Sequence, residues 1–413
     1  MPRDTFYQWV PRERLLRELQ DVPTPAYLFF PEVIRDRIDR LRRCVGRRFQ
    51  LHYAVKANPH PDILRFMALA GLGADVASAG ELHAVLAAGI APGSVEFSGP
   101  GKRPEELRAA IDAGIGAINA ESLDEIRLLD RLAGEFGRRV PVGIRINPEL
   151  EREAGGIRMA GATQFGMDES EMANALSLIR AAENRLAFSG IHVHVGSQVL
   201  EEAAVLDAIE GILGLALRAE AAAGMPLRKI NFGGGWGVPY YPGQSALDLE
   251  LIAEELADLL ADSEYRDLIR RCRLMLEPGR FLVAEAGVFC TRVRYRKRVR
   301  GREIAVVDGG MHQNYLLVGG MGQVVRRNFA AEVIPDPEAP PPEPMKLELD
   351  VAGPLCTPQD RLAEALAVDH AARPGDFVVF FTCGAYGRSA SPVGFLSHPA
   401  VAEVMVAEED GRR

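Results

Sequence analysis

The chain alternates between short apolar runs and longer segments whose apolar positions recur at helical spacing. The short runs predict buried strands, and they lie at 51–55, 74–77, 94–98, 116–119, 140–146, 188–195, 229–232 and 274–277. The helical segments between them include 81–88, 104–113, 123–136, 171–182, 201–223 and 246–260. Eight strands that alternate with helices predict an α/β fold, a closed (β/α)8 TIM barrel, and a doubly wound open sheet is the alternative.

The pattern changes after Gly287. Segments 288–299, 303–307, 346–351 and 376–381 are β-rich and predict a second, all-β domain. The proline-rich stretch 335–345 predicts an exposed loop, and 400–407 predicts a short strand or helix. We therefore expect a barrel domain over 26–287, and a β-domain made of 288–413 together with a polar lead-in, 1–25.

Composition limits the classes of partner. The 413 residues carry a net charge of -9, which argues against nucleic acid or an anionic membrane as the main partner. Five cysteines without a CxxC pair predict reduced thiols and no zinc site. A polar amino terminus unlike a signal peptide, and the lack of a run long enough to span a bilayer, predict a cytoplasmic protein with no membrane segment.

Polar residues lie at the predicted carboxyl ends of the strands, where barrel enzymes place their chemistry. Lys56 follows the first strand, and partial burial there favours an uncharged amine that can form a Schiff base. The other strand ends carry Asp75, Glu121, Arg145, His194 and Glu277. His192 is expected to be a core histidine with one hydrogen bond, or to point to the opposite face.

A phosphate site is predicted beside the lysine. The glycines at 233–235 follow the seventh strand, where backbone N–H groups of barrels bind phosphate, and Gly279 and Arg280 follow the eighth. The guanidinium of Arg280 matches phosphate oxygens, and Glu277 opposite a pyridine nitrogen would keep it protonated. A Schiff-base lysine, a phosphate site and this acid together describe pyridoxal 5′-phosphate.

Six motifs resemble those of the fold-type III pyridoxal phosphate decarboxylases, which include the diaminopimelate, ornithine and arginine decarboxylases. The motifs are YAVKAN at 53–58, HVGS at 194–197, GGG at 233–235, EPGR at 277–280, GPLC at 353–356 and GAYG at 384–387. The resemblance implies an alanine-racemase-like barrel with a carboxyl-terminal β-barrel or sandwich domain. It also implies a pyridoxal phosphate-dependent amino acid decarboxylase.

The resemblance implies roles for individual residues. Lys56 would hold the cofactor as an internal aldimine, His194 would stack on its ring, and Glu277 would pair with the pyridine nitrogen. Asp75 and Arg145 would belong to the surrounding polar network. The phosphate would be held by Ser197, Gly234, Gly235, Gly279, Arg280 and Tyr386.

The resemblance also implies a homodimer with shared active sites. In each site Cys356 would come from the other subunit and donate a proton to the product carbanion. The positions expected to contact the substrate are Arg280, Asp308, Thr357, Asp360 and Tyr386.

The chain departs from its relatives where substrates are chosen. Thr357 stands where diaminopimelate and ornithine enzymes carry an acid, which Asp360 would have to replace. Residues 308–316 also lack the arginine that binds the distal carboxylate of diaminopimelate. GGMH at 309–312 and GPLCTPQD at 353–360 are more similar to a subgroup with glutamyl-carrier-protein and exopolysaccharide-sorting decarboxylases. We expect an amino acid or a glutamyl-type amino acid linked to an acyl carrier protein as substrate, with diaminopimelate or ornithine/lysine-type free amino acids as the alternative.

Other readings of the same plan remain. An amino-acid racemase is less favoured because Glu277 and Cys356 favour decarboxylation. A non-enzymatic cofactor carrier would lack the β-domain, and an inactive homologue would lack the cofactor residues. The glycine-rich segment 154–166 is expected to close over the site. The basic run 291–302 predicts either a solvated strand face or a dock for an acidic partner.

Overall fold

The computed structural model describes residues 2–149, 157–158, 160–224, 226–320 and 326–408. The strands are β1 (Ala26–Phe29), β2 (Phe49–Ala54), β3 (Gly73–Val76), β4 (Val95–Phe97), β5 (Ala117–Ala120), β6 (Val140–Asn147), β7 (Ile157–Arg158), β8 (Met167–Asp168), β9 (Leu186–His192), β10 (Gly196–Ser197), β11 (Lys229–Asn231), β12 (Arg273–Leu276), β13 (Gly287–Val299), β14 (Arg302–Val307), β15 (Ala331–Ile334), β16 (Pro344–Ala352), β17 (Arg361–His370), β18 (Phe377–Phe380) and β19 (Ala402–Met405). The helices are α1 (Pro2–Trp9), α2 (Arg12–Asp21), α3 (Pro31–Val45), α4 (Pro61–Leu69), α5 (Ala79–Ala87), α6 (Pro104–Ala113), α7 (Leu123–Phe136), α8 (Met172–Ala181), α9 (Glu202–Ala223), α10 (Leu249–Ala261), α11 (Arg266–Arg271) and α12 (Arg280–Val283).

The chain divides into two compact units. The barrel unit comprises Ile38–Val238 and Ala246–Phe281, and the β-rich unit comprises Met1–Arg37, Pro239–Ser245 and Leu282–Arg413. This division differs from the expected barrel boundary at residue 26, because β1 pairs with β13 and β19 in the β-rich unit. All four residues of β1 are buried.

The barrel unit is a closed parallel barrel. Its strands follow the order β5-β4-β3-β2-β12-β11-β9-β6, and pairing between β5 and β6 closes the ring. The predicted strands all occur, and α6 and α7 have the predicted bounds. The prediction of a TIM barrel is thus confirmed, and the open sheet is excluded. The end of β9 differs from the prediction, because the strand stops at His192 and not at residue 195. His194 therefore lies in the loop beyond the strand.

The β-rich unit contains an eight-stranded sheet in which β15, β18, β13, β14, β16 and β17 are neighbours in that order. The first residues were expected to form a polar lead-in but form α1 and α2. These helices bury Phe6, Leu15 and Leu19, whose spacing suits a helical face better than an extended chain. The segment 400–407 contains β19, a strand, and most of the proline-rich stretch has no regular structure.

Strand β17 was not predicted from the sequence. Its residues, RLAEALAVDH, include several good helix formers, so local propensity favours a helix. The segment nevertheless forms a strand, because it pairs antiparallel with β16 along most of its length. Within the part of the chain that the structure describes, the helices are too short or too polar to cross a membrane.

Candidate active site

Lys56 is placed at the carboxyl end of β2. The strand stops at Ala54, and a 3-10 turn, Val55–Ala57, turns the lysine out while both of its neighbours are buried. The hydroxyl of buried Tyr53 donates to the carbonyl of Asn58 over 3.0 Å and fixes this turn. The side chain of Lys56 is exposed, so the expected partial burial of its amine is not found in this chain. The predicted position of Lys56 at a strand end is confirmed.

Glu277 follows β12 and is buried in a polar setting. Its Oε1 accepts a hydrogen bond from Nδ2 of Asn231 over 2.6 Å, and its Oε2 lies 3.1 Å from Nε2 of His192. Burial opposes ionisation, but His192, Lys56 and the hydrogen bond from Asn231 outweigh it and hold the pKa of Glu277 below its usual value. Glu277 is therefore a buried carboxylate that stays negative at neutral pH.

His192 is a buried core histidine with one side-chain hydrogen bond, as expected, but its partner is Glu277, so the residue also belongs to the site. The alternative expectation, that His192 points to the opposite face, overlooked that positions 192 and 194 have the same parity along the predicted strand 188–195. The ring of His192 points into the barrel and contacts Glu277. The even spacing of the two histidines was the sequence signal that could have placed His192 in the site.

His194 is held in a neutral form. Burial, and then the charges of Lys56 and Arg145, lower its pKa well below the usual value. Its Nδ1 accepts a hydrogen bond from the backbone N–H of Gly234 over 3.0 Å, which assigns the proton of the neutral ring to Nε2. The side chain thus presents an N–H donor and a flat uncharged ring.

The glycine turn 233–235 requires glycine at each position. Gly233 and Gly235 have φ of 64° and 103°, in the left-handed region. A Cβ at position 234 would collide with the carbonyl oxygen of Glu277. The backbone N–H of Gly233 donates to Oδ1 of Asn231 over 2.9 Å, and the backbone N–H of Glu277 donates to the Gly233 carbonyl over 2.7 Å. The turn is therefore fixed to β12 and leaves open backbone where a phosphate can approach.

Gly279 continues this glycine surface after β12. A Cβ there would lie 3.0 Å from Cβ of Ala57 in the lysine turn, so the two segments pack too closely for a larger residue. Arg280 begins α12, and Ser197 lies in β10.

Arg145 forms a buried ion pair at the end of β6. Its Nη1 lies 2.9 Å from Oε1 of Glu121, and both side chains are almost inaccessible. Burial opposes ionisation of Glu121, but Arg145 and Lys102 lower its pKa overall. Oε2 of Glu121 also accepts from the backbone N–H of Gly166 over 2.8 Å. The ion pair thus anchors the end of the glycine-rich segment 154–166, whose residues 154–156 and 159 lie outside the described residues.

Asp75 lies in β3 and is buried. Burial and the charge of Glu277 raise its pKa well above the usual value, while Lys56 and Arg145 oppose this shift. Its Oδ1 is buried and has no hydrogen-bond partner among the described residues. An unpaired buried carboxyl oxygen is costly, so this atom is a candidate contact for a ligand that donates a hydrogen bond.

Polar side chains connect Glu277 to the interior of the barrel. Nζ of Lys229 lies 2.6 Å from Oε1 of Glu96, and Oε2 of Glu96 accepts from Nδ2 of Asn231 over 3.3 Å. Nδ2 of Asn119 also donates to Glu96, over 3.0 Å. We call Lys229, Glu96, Asn231 and Glu277 the barrel polar chain. It was missed from the sequence, although Lys229 and Asn231 share a face of β11.

The remaining predicted residues belong to the β-rich unit. Cys356 is exposed, Thr357 and Tyr386 are half-buried, and Tyr386 has a φ of 53°, unusual for a tyrosine. Oδ2 of Asp308 accepts from the Thr24 hydroxyl over 2.7 Å. Their roles toward cofactor and substrate stay predictions.

Asp360 has a contact set that suits a structural role. Its two carboxylate oxygens accept from the backbone N–H groups of Met311, over 2.7 Å, and Leu355, over 2.8 Å. The side chain is 2% exposed. Asp360 thereby links the segments around Gly310 and Gly353, which makes it a less suitable replacement for the missing acid beside Cys356.

The barrel unit fits the expected cofactor on these observations. The glycine turn lets a phosphate approach the backbone closely, Glu277 offers a negative charge, and His194 offers a neutral flat ring. Asp75 supplies an unpaired oxygen, and Lys56 supplies the amine. Among the described residues no cluster of histidine, cysteine and acidic side chains suits a metal ion.

Comparison with known proteins gives one family. The family model for the pyridoxal-dependent decarboxylases, pyridoxal binding domain, matches residues 32–284. The L-glutamyl-[BtrI acyl-carrier protein] decarboxylase of Niallia circulans is 36% identical over 384 residues, which is 92% of this chain and 88% of the relative. The diaminopimelate decarboxylase of Aquifex aeolicus is 31% identical over 396 residues, covering 95% of this chain and 89% of that protein.

A solved structure agrees. Diaminopimelate decarboxylase from Helicobacter pylori, complexed with L-lysine, superposes with a TM-score of 0.82 at 27% identity, over 95% of this chain and 94% of that chain. The family model covers the barrel strands that carry Lys56, His194 and Glu277, and the relatives align along nearly the whole chain. The chain therefore belongs to the pyridoxal-dependent decarboxylases, and it is an amino acid decarboxylase that uses pyridoxal phosphate.

Proposed function

We propose that this enzyme removes the α-carboxylate of a glutamyl-type amino acid carried as a thioester on an acyl carrier protein. The α-carboxylate must be free to leave, so the thioester would join the carrier to the side-chain carboxyl. The observation that carries the reaction type is Glu277, a buried carboxylate held negative by His192 and Asn231. The substrate proposal is supported by the neutral Thr357 beside Cys356 and by the similarity to the Niallia circulans enzyme.

Lys56, Glu277 and His194 of the barrel unit would have different roles in the reaction. When bound, pyridoxal phosphate supplies an aldehyde for amines and an electron-poor ring that accepts the electron pair left as CO2 departs. Lys56 would anchor the cofactor covalently and leave when the substrate amine arrives. Glu277 would keep a proton on the ring nitrogen, which makes the ring a better electron acceptor. His194 would lie against the ring. Because its imidazole stays uncharged, it would not oppose the positive charge of the protonated ring nitrogen.

We propose a homodimer in which Cys356 of one subunit completes the site of the other. The thiol of Cys356 would protonate the α-carbon after CO2 leaves. Two observations support this role: the side chain is exposed, and the cysteines of the described chain are all free thiols, as in a reducing compartment such as the cytoplasm.

Mixing two inactive variants tests the shared site. Lys56→Ala and Cys356→Ala are unfolded together and refolded into hybrid dimers. If sites are shared, one site of each hybrid has both residues intact, and activity returns to about a quarter of the wild-type value. Separately refolded variants are the control. No recovery in hybrids shown to form by mass spectrometry rules out the shared site.

The hairpin of β13 and β14 is proposed to bind the acidic carrier. Several of its arginines are already in ion pairs and are therefore less available to bind a partner than the sequence suggested. Arg296 and Arg298 pair with Glu303. Arg294 pairs with Asp308. Lys297 and Arg300 have no ion-pair partner among the described residues, and Tyr295 beside them is 72% exposed. These three residues would combine charge and apolar contact.

Reversing charge at the hairpin tests the docking. Lys297→Glu/Arg300→Glu should raise KM for glutamyl-loaded carrier at least about tenfold, since each rim charge contributes to association. Turnover of any free amino acid substrate should not change. Arg127→Glu, at an exposed position of α7, is the control. Equal KM values for both variants would contradict docking at this hairpin.

A substrate panel tests the function. CO2 release is measured with glutamyl-loaded carrier protein and with free glutamate, diaminopimelate, ornithine and lysine. We expect the loaded carrier to have the highest kcat/KM. The second candidate is a diaminopimelate decarboxylase, which the Aquifex aeolicus relative favours, and it would turn over free diaminopimelate best. Racemisation without CO2 release would exclude both.

Borohydride reduction tests the role of Lys56 independently of activity. Reduction of the holoenzyme should fix the cofactor to the peptide that contains Lys56, detected by mass spectrometry. Lys56→Ala should carry no reduced cofactor. Cofactor fixed to another lysine in the wild-type enzyme would disprove the assignment.

A further inference from the structure

The amino-terminal ends of the barrel strands surround a cavity of about 540 Å³. It lies at the opposite end of the strands from Lys56, and we call it the lower mouth. Residues before or early in the strands line it, including Gln50, Ser94, Gly116, Pro141, Arg228 and Arg273. Its volume is within the range of small-molecule sites.

The lower mouth is positively charged. Arg228, Lys229, Arg271 and Arg273 line it, and Glu96 is the one carboxylate among the lining residues. Lys229 is neutralised by Glu96 at 2.6 Å, and Arg271 is paired with Glu220. Arg228 and Arg273 are exposed and have no ion-pair or side-chain hydrogen-bond partner in the part of the chain that the structure describes. Two guanidinium groups at one opening contrast with the net charge of -9 of the whole chain.

Two neutral polar atoms of the lining also lack partners. Nδ1 of His52 and Oγ of Ser189 are buried without a hydrogen bond among the described residues. His52 is only 6% exposed. Burial lowers the pKa of His52, so its ring is uncharged and offers a hydrogen bond rather than a charge. Buried polar atoms without partners are uncommon, and both of these belong to residues that line the cavity.

We propose that the lower mouth is a second binding site, for a small molecule with two or more carboxylate or phosphate groups. Guanidinium groups bind both kinds of oxyanion through paired hydrogen bonds, and Arg228 and Arg273 are available for this. His52 and Ser189 belong to the polar lining of the cavity. The site is separate from the residues assigned to cofactor and substrate, so it does not depend on the proposed substrate.

The experiment titrates the holoenzyme with pyrophosphate, and separately with citrate, by calorimetry in chloride buffer of low ionic strength. Bound cofactor fills the phosphate site at the other end of the barrel. We expect one anion per chain, and at least about tenfold weaker binding in Arg228→Gln and in Arg273→Gln. The two anions distinguish a phosphate site from a carboxylate site.

Arg270→Gln is the matched control, because Arg270 is exposed on α11, pairs with Asp267 and does not line the cavity. It should bind either anion as the wild type does. Absence of saturable binding of both anions would overturn the proposal. Equal affinities in Arg228→Gln, Arg273→Gln and Arg270→Gln would do the same, since the anion would then bind elsewhere.

Discussion

The side-chain amide of Asn231 donates a 2.6 Å hydrogen bond to Oε1 of Glu277. The other end of the same amide accepts from the backbone N–H of Gly233 over 2.9 Å. One residue thus fixes both the acid proposed for the ring nitrogen and the glycine turn proposed for the phosphate. Both contacts are made by one side chain of β11. The position of Glu277 relative to the glycine turn therefore depends on Asn231.

Asn231→Asp should disturb this relationship directly. When ionised, the new carboxylate cannot donate to Glu277 and repels it. Losing a hydrogen bond to a charged group costs about 1.5–3 kcal/mol, so the dissociation constant of pyridoxal phosphate should rise at least about tenfold. Fluorescence titration of the apoenzyme measures it. Asn328→Asp, in the β-rich unit, should bind the cofactor normally, and an equal affinity in Asn231→Asp would contradict the proposed role.

Gly234→Ala should weaken cofactor binding through shape alone. Its Cβ would collide with the carbonyl oxygen of Glu277 and push the turn out of place. We expect loss of cofactor absorbance after dialysis, together with a lower thermal midpoint. Gly101→Ala is the control, because nothing lies within 4 Å of its Cβ and its φ is ordinary. A fully loaded Gly234→Ala enzyme would show that the turn does not hold the cofactor.

Glu121→Gln should destabilise the barrel unit. It leaves Arg145 buried and without its carboxylate, and removing one partner of a buried pair costs about 3–5 kcal/mol. Urea denaturation measures the loss. Asp124→Asn breaks the exposed pair with Arg127 and should cost at most about 1 kcal/mol. The double variant Glu121→Gln/Arg145→Met should be more stable than Glu121→Gln alone, and a less stable double variant would argue against an unpaired charge as the cause.

Acid should destabilise the β-rich unit through His312. Burial, with a smaller contribution from His398, lowers the pKa of His312 to about 4 from the usual 6.5. The unfolded chain therefore takes up a proton as pH falls through 6.5, while the folded chain does not until about 4. The contribution of the neutral His312 ring to the free energy of unfolding is therefore fully present above pH 6.5 and is lost as the pH falls from 6.5 to about 4.

His312→Phe removes this titration. The fall in thermal midpoint between pH 7 and pH 5 should be smaller in His312→Phe than in the wild type. His83→Phe, at an exposed position of α5, should keep the wild-type pH dependence. An unchanged fall in His312→Phe would assign the acid sensitivity to other groups.

The alternation of strands and helices and the residues at the strand ends could be predicted from the sequence, which favoured a closed barrel over an open sheet; the pairing of β5 with β6 then closed the ring. Lys56, Glu277 and the glycines at 233–235 were identified because strand ends and tight turns are set by neighbouring residues. The same local reasoning failed for β17, where helix propensity is overruled by pairing with β16.

Which side chains meet in the barrel interior could be read only from the folded chain. Lys229 meets Glu96 across 133 positions of sequence, and His192 meets Glu277 across 85. Closing the barrel brings the inward faces of distant strands together, and parity along each strand gives the face but not the partner. Whether a polar residue is isolated or paired therefore depends on the ring of strands as a whole, which local sequence does not encode.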